Sequence, residues 1–451
     1  MIRALADDQS IDVPSPTFTL LQSYDLRVPV HHADLYRLSS PEEIDELGLD
    51  EALADGAVLV EWPEQAGDRL RGHAIRIEIT HEGDGRLAKI SGAGETFERI
   101  ARSLAMRDFL GQSGWGEAAR RYFTGDASAR SYETVMLPGE PARVLMNSPQ
   151  LVLGPPVRDG KPYAEIARSA RTVAAFVALD SALRSAGFCA PEIFTQDLDR
   201  GFLLIEHLGS ASFLHADGRP VTERYAAAAE LLAALHVVDW SPHLEAAPGI
   251  VHAVPPFDRA AMMIETDLLI DWYFPFVTGS RPADDVRAGF HDAWNAAFDR
   301  LDTAETTLML RDFHSPNIIW REDREGHDRL GIIDFQDALI GPAAYDVASL
   351  AMDARVTVPP EIERSTVDAY AAARRAVGPF DESAFAQAYA IMAAQRNSKI
   401  LGIFVRLNER DGKPSYLKHL PRIRDYLARA LEHPALAELR GFYLANGLLG
   451  D

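Results

Sequence analysis

Asp312 and Asn317 stand five residues apart in Leu310-Arg311-Asp312-Phe313-His314-Ser315-Pro316-Asn317, and Asp334 follows seventeen residues later in Ile332-Ile333-Asp334-Phe335-Gln336-Asp337. An acid, an amide oxygen and a second acid at the end of an apolar strand are the groups phosphoryl transfer asks of a protein. Asp312 can accept the proton of an attacking hydroxyl, while Asn317 and Asp334 supply hard oxygens of the kind magnesium prefers. Singly, each is an ordinary loop residue, because Asx side chains cap turns and end strands. In this order, on a strand-loop-strand pattern, they read as one site. Asp346, in Ala344-Tyr345-Asp346-Val347-Ala348, either braces that loop or caps a helix start.

Other groups with chemical potential surround this set in the sequence. Gly125-Asp126-Ala127-Ser128-Ala129-Arg130-Ser131-Tyr132 lies between two strand-like segments. Small residues in a hairpin let backbone amides approach phosphates, with Ser128 adding a hydroxyl and Arg130 a positive charge. A Gly-Asp pair also simply turns a chain. Leu203-Leu204-Ile205-Glu206-His207-Leu208-Gly209 reads either as a buried strand or as a hinge whose backbone, at Glu206 and Leu208, bonds an adenine edge. On a helix beginning near Phe385, Arg396, Lys399, Arg406 and Arg410 fall within an arc of roughly 80°. That stripe is either a solvated flank or a cationic surface for a substrate carboxylate or phosphate. Asp267 and Asp271, beside Trp272 and Tyr273, either bind sugar hydroxyls or are surface acids next to a core aromatic pair.

These residues need elements to hold them. The chain has 451 residues, 47% hydrophobic and 25% charged, which is ordinary globular composition for two or three folding units. Short strands are predicted at 17–22, 30–35, 58–62 and 74–80, with an acidic helix at 41–53, giving an α/β unit. Around 83–94 the pattern loosens into Gly and charged residues before a helix at 96–110, and the domain boundary is placed there, after residue 95. Strands at 121–123, 131–137 and 143–146 and a long helix at 164–186 follow. From 222 onward the pattern is helical, broken by strands at 318–320 and 330–334. The expected class is therefore α/β and α+β, with a small β-rich lobe at 96–210 ahead of a larger helical lobe at 211–451.

The net charge of −22 repels phosphate backbones and anionic lipid, so direct nucleic-acid and membrane binding are not expected. The single cysteine, Cys189, excludes an intrachain disulfide framework and fits a reducing, cytoplasmic setting.

Three stretches carry a family resemblance: Gly125-Asp126-Ala127-Ser128; Asp334-Phe335-Gln336-Asp337-Ala338 with Gly341-Pro342; and Gln395-Arg396-Asn397-Ser398-Lys399-Ile400-Leu401-Gly402-Ile403-Phe404, continuing to Arg410-Asp411-Gly412-Lys413. They resemble the aminoglycoside phosphotransferase superfamily, and within it the anomeric N-acetylmuramate/N-acetylglucosamine kinases, over most of 104–445. The resemblance implies a two-lobed protein-kinase-like fold. It implies transfer of the ATP γ-phosphate, with Mg2+, to the anomeric hydroxyl of an amino sugar in cell-wall sugar recycling. Two positions depart from the superfamily's pattern. Met146 stands where a phosphate-steadying lysine is expected, which leaves Arg130 to supply the charge, and Leu310 replaces a scaffold histidine. An aminoglycoside or other small-alcohol phosphotransferase, and a pseudokinase scaffold, stand as competing readings.

Near the start, Ser15-Pro16-Thr17-Phe18-Thr19, Asp34-Leu35-Tyr36-Arg37, Glu42-Glu43 and Glu61-Trp62-Pro63-Glu64 resemble the ATPase subunit of the tRNA threonylcarbamoyladenosine synthesis complex. In that family the positions of Thr17, Asp34 and Glu61 serve as nucleotide switch, magnesium ligand and helper of ATP chemistry. The family's Gly-x-x-x-x-Gly-Lys-Thr loop, whose amides and lysine cradle phosphates, occurs nowhere in this sequence. Residues 1–95 therefore read as a partial P-loop-type module. Either translation starts at Met1 and the module is nucleotide-incompetent, or the start is internal and the native chain is longer; no ATPase activity is expected of residues 1–95 themselves. Partners among tRNA-modification proteins are the corresponding expectation.

Overall fold

A computed structural model of the chain describes residues 2–6, 10–26, 28–70, 75–123 and 130–449. The chain divides into two compact units, Met1–Arg107 and Asp108–Asp451, and the division falls inside the helix Gly94–Gln112.

In the first unit the strand Val30–Asp34 pairs antiparallel with Leu21–Tyr24 and parallel with Ala57–Glu61. Parallel strands need a crossover, and the acidic segment between them provides it. That segment is not one helix: a 3-10 turn, Pro41–Leu47, and a helix, Leu49–Asp55, meet at Gly48, whose φ of 63° suits a residue without Cβ. The strand expected from residue 17 begins only at Leu21, because residues 17–19 turn and Leu20 adopts φ 65°. The loosened stretch after residue 83 is also a correction. Arg76–Glu82 and Gly85–Ser91 form an antiparallel hairpin whose alternation is disguised by Arg86 and Lys89 among its apolar residues.

The second unit opens with a five-stranded antiparallel sheet in the order Ile193–Asp197, Phe202–Glu206, Arg143–Asn147, Ser131–Met136, Ala119–Tyr122. Val135, Leu145 and Phe202 are buried on one of its faces, and Met146 and Leu203 on the other. The helix expected over 164–186 is interrupted: a short helix, Tyr163–Ile166, is separated from a longer one, Ala174–Ser185. Arg168 takes φ 61°, and the Asp337 carboxylate captures the Ala170 N–H at 2.7 Å, so the backbone between them is held out of the helix. A helical region follows, as the sequence pattern predicts. Its spine is the helix Glu382–Glu409, started by Asp381, whose side chain accepts the Ala384 N–H at 2.9 Å. This helix is buried on most sides. At Gly402 an added Cβ would lie 2.1 Å from the Leu268 carbonyl oxygen, so the absence of a side chain lets the end of Arg259–Leu268 approach closely.

Two short antiparallel pairs flank the candidate catalytic residues. Thr306–Met309 pairs with Leu339–Pro342, and Ile318–Trp320 pairs with Leu330–Ile332.

Candidate active site

The loop that leaves Thr306–Met309 is fixed from below by acids. Asp346, fully buried, accepts the N–H groups of Leu310 (2.6 Å) and Arg311 (2.9 Å). It makes no cap bond to its own helix, whose N-cap is Ala343, so of the two roles open to it in the sequence the structure shows the brace. Asp353 likewise accepts the Ser315 N–H at 2.9 Å and its hydroxyl. Held this way, Arg311 adopts φ 72°, a conformation that a residue with a side chain takes only when its surroundings enforce it. The turn Ser315–Asn317 then feeds the strand Ile318–Trp320.

The Asn317 amide nitrogen donates to the Asp312 carbonyl oxygen at 3.0 Å and lies 3.3 Å from Asp334 Oδ2. Ile333 N–H bonds the Asn317 carbonyl at 3.0 Å, which ties the end of the hairpin to the loop. Asp312, Asn317 and Asp334 are thus brought together. Arg130 joins them, its guanidinium 3.1 Å from Asp334 and 3.9 Å from Asp337.

The charges set distinct protonation tendencies. Burial pushes the Asp312 pKa up, but Lys399, then His314, Arg311 and Arg396, outweigh it and hold it below the usual carboxylate value. A base that stays ionised can take a proton. For Asp334 burial wins: with Asp312 and Asp337 adding to it, it exceeds the opposing effects of Arg130 and Gln336, and the pKa rises. That is the signature of a carboxylate short of positive charge. Among the described residues no group of three His, Cys, Asp or Glu is arranged to hold a metal. Asn317 and Asp334 offer two hard oxygens, a donor set that fits a magnesium ion whose other ligands are phosphate oxygens and water.

Beneath Asp312 lies a buried charge cluster. Glu265, fully enclosed, pairs with Arg311 and with Lys399 (2.8 Å) and accepts from Gln395 Nε2 at 2.9 Å. Burial works against its ionisation, but Lys399 and Arg311 hold its pKa at about 2. Glu265 and Asp353 were not singled out from the sequence. The signal for Glu265 was an acid inside the apolar run Met262-Met263-Ile264-Glu265; for Asp353 there was none.

The stripe on the long helix is not a solvated flank. Arg396 is buried and donates to the Met352 carbonyl at 3.4 Å, Lys399 holds Glu265, and Arg406 lies over the Tyr163 ring at 5.6 Å. Only Arg410, just past the helix, is exposed, paired with Asp411 at 2.7 Å. Asp267 is not a surface acid either, being buried between Arg158 and His291, while Asp271 pairs with Arg287 at 2.7 Å. Both acids are thereby engaged by protein cations, which argues against the sugar-hydroxyl role. Glu206 ends its strand with one carboxylate oxygen 3.4 Å from Arg321 and the other accepting the Glu192 N–H at 3.2 Å. Leu208 packs on Gly331 so closely that a Cβ there would meet it at 2.9 Å. Met146 is fully buried in the core, opposite Tyr132 and Leu203. Gly125 and Ser128 lie outside the described residues.

In the first unit the parallel register sets Asp34 opposite Glu61. Asp34 accepts the hydroxyls of Thr17 (2.9 Å) and Ser15 (3.0 Å) and the Tyr36 N–H (3.0 Å). Burial opposes its ionisation, but the Tyr36, Thr17 and Ser15 bonds outweigh it and lower the pKa. Glu61 meets His32 at 3.0 Å.

Residues 112–380 match the model of the phosphotransferase enzyme family, and the chain belongs to that family. It is similar to the N-acetylmuramate/N-acetylglucosamine kinase of Caulobacter vibrioides, with 34% identity over 353 residues, 76% of this chain and 96% of the relative. Kinase relatives and family membership make it a small-molecule kinase and carry nucleotide use with them. Among solved structures, amicoumacin kinase hAmiN in complex with AMP-PNP matches at 13% identity and a TM-score of 0.48, over 76% of this chain and 100% of that one. Residues 1–88 match the threonylcarbamoyl adenosine biosynthesis protein TsaE. The TsaE protein of Rickettsia bellii is 53% identical over 57 residues, 12% of this chain and 40% of the relative, so the chain spans less than half of that relative's length.

Proposed function

We propose that this chain transfers the γ-phosphoryl group of ATP to the anomeric hydroxyl of N-acetylmuramate and N-acetylglucosamine. The juxtaposition of Asp312, Asn317 and Asp334 supports this reading more than any other observation, with the cations of the long helix acting on Asp312. In the reaction, Asp312 accepts the hydroxyl proton as the sugar oxygen bonds phosphorus and the bond to ADP breaks. Asn317 and Asp334 hold magnesium, which when bound offsets the charge on the phosphate oxygens. Arg130 stands where it can move from Asp334 to a phosphate, supplying the charge that Met146 lacks. Gly125 and Ser128 complete the phosphate loop, and the backbone at Glu206 and Leu208 receives the adenine. Arg396, Lys399 and Arg406 face the acceptor. Residues 96–210 form the nucleotide lobe and 211–451 the acceptor lobe, while 1–95 is a module that docks tRNA-modification proteins through the Thr17, Asp34 and Glu61 region without hydrolysing ATP. No helix among the described residues is long and apolar enough to cross a membrane, and a cytoplasmic setting fits the lone buried cysteine.

The test is ADP release from the full chain and ATP with N-acetylmuramate, N-acetylglucosamine or kanamycin. Turnover of the two sugars is expected. Turnover of kanamycin alone overturns the acceptor, and ADP release with none of the three overturns the reading.

A further inference from the structure

The cations on the long helix differ in what they are bonded to. Seven residues separate Lys399 from Arg406, so both leave the helix in nearly the same direction, about 10 Å apart along its axis. Lys399 is held by Glu265 at 2.8 Å and acts on Asp312, at the reacting end. Arg406 rests on the Tyr163 ring, and its Nε is buried without a hydrogen-bond partner. Among the described residues no carboxylate lies within ion-pair distance of it. Of the acids near it along the chain, Glu409 is exposed and forms no ion pair with it, and Asp411 is already bonded through both oxygens to Arg410. Burial, with the neighbouring Arg410 adding, disfavours the charge on Arg406. A partly buried guanidinium without a counter-charge is unfavourable unless an anion arrives, and its forked donors match a carboxylate.

Resting on the kinase reading above, we propose that Arg406 is a specificity residue that binds a carboxylate carried by the acceptor sugar on the side away from the reacting hydroxyl. The transferring phosphate is handled two helical turns away, near Asp312 and Lys399, so the anion at Arg406 is a second one. Of the two proposed acceptors, N-acetylmuramate carries a carboxylate on its lactyl arm and N-acetylglucosamine carries none.

The test compares kcat and KM of the full chain on the two sugars for the wild type, Arg406→Gln and Arg406→Lys. A charged hydrogen bond of ordinary strength predicts that Arg406→Gln lowers the preference for N-acetylmuramate over N-acetylglucosamine by about 10- to 100-fold. The change appears mainly in KM and is partly restored in Arg406→Lys. Equal losses on both sugars would mark Arg406 as structural and overturn the proposal, as would an unaltered preference. Wild-type turnover of N-acetylglucosamine separately tests the kinase reading. Should neither sugar be turned over, calorimetric binding of the two sugars decides the point: tighter binding of N-acetylmuramate that Arg406→Gln abolishes supports the proposal, and equal affinities for the wild type refute it.

Discussion

Glu265→Gln removes one negative charge from a site with no access to water, while the shape of the side chain is kept. Arg311 and Lys399 then share an amide in place of a carboxylate, and one end of that amide sets an N–H against a donor. The folded-state pKa of about 2 against an ordinary 4.5 corresponds to about 3 kcal/mol, at about 1.4 kcal/mol per tenfold change in proton affinity. Breaking a buried ion pair by removing one partner costs about 3–5 kcal/mol, in the same range. With a urea dependence near about 3 kcal/mol per molar for a unit of this size, the midpoint falls by about 1 M. Tryptophan fluorescence reports the relevant unit, because only Trp62 of the six tryptophans lies outside Asp108–Asp451. A depressed folded pKa gives stabilisation that is complete above 4.5 and lost as pH falls through 2. The gap between variant and wild type is therefore full at pH 7 and narrows toward pH 3. Equal midpoints at pH 7, or a gap that persists undiminished at pH 3, would refute the reasoning.

Three further outcomes are expected. Lys399→Met removes the strongest of the charges that depress the Asp312 pKa, so the acid limb of kcat/KM against pH moves upward; an unmoved limb counts against Asp312 as the base. Gly402→Ala forces a methyl group against the Leu268 carbonyl and lowers stability by about 1–3 kcal/mol, read as a drop of several degrees in Tm. Chelation of divalent ions stops sugar phosphorylation and added Mg2+ restores it, whereas full activity in excess chelator contradicts the assignment of Asn317 and Asp334.

The candidate site was legible where its residues lie close together in the sequence. Asp312, Asn317 and Asp334 fall on one strand-loop-strand segment, so order and spacing alone carried them. Asp346 showed in the sequence as a candidate brace but not as the one that holds Leu310 and Arg311, because a helix-first-turn acid serves equally well as a cap. The break in the helix near Arg168 was invisible, since it depends on Asp337, 167 residues beyond the Ala170 N–H that it accepts. Glu265 was overlooked for a similar reason: its partners Arg311, Gln395 and Lys399 are remote in sequence. Helical spacing put Arg396, Lys399 and Arg406 on one side of a helix. It did not say that the side is buried, which the close approach at Gly402 and the packing around the helix decide.

The central claim concerns which oxygen receives the phosphate and which residue allows it. Phosphorus NMR of the product made from ATP and N-acetylglucosamine, with the full chain and with Asp312→Asn, addresses both. A phosphorus signal coupled to the anomeric proton, reduced about 10²- to 10⁴-fold in rate by the substitution, is the predicted result. A phosphate on any other hydroxyl, or transfer that proceeds equally well in Asp312→Asn, would contradict it.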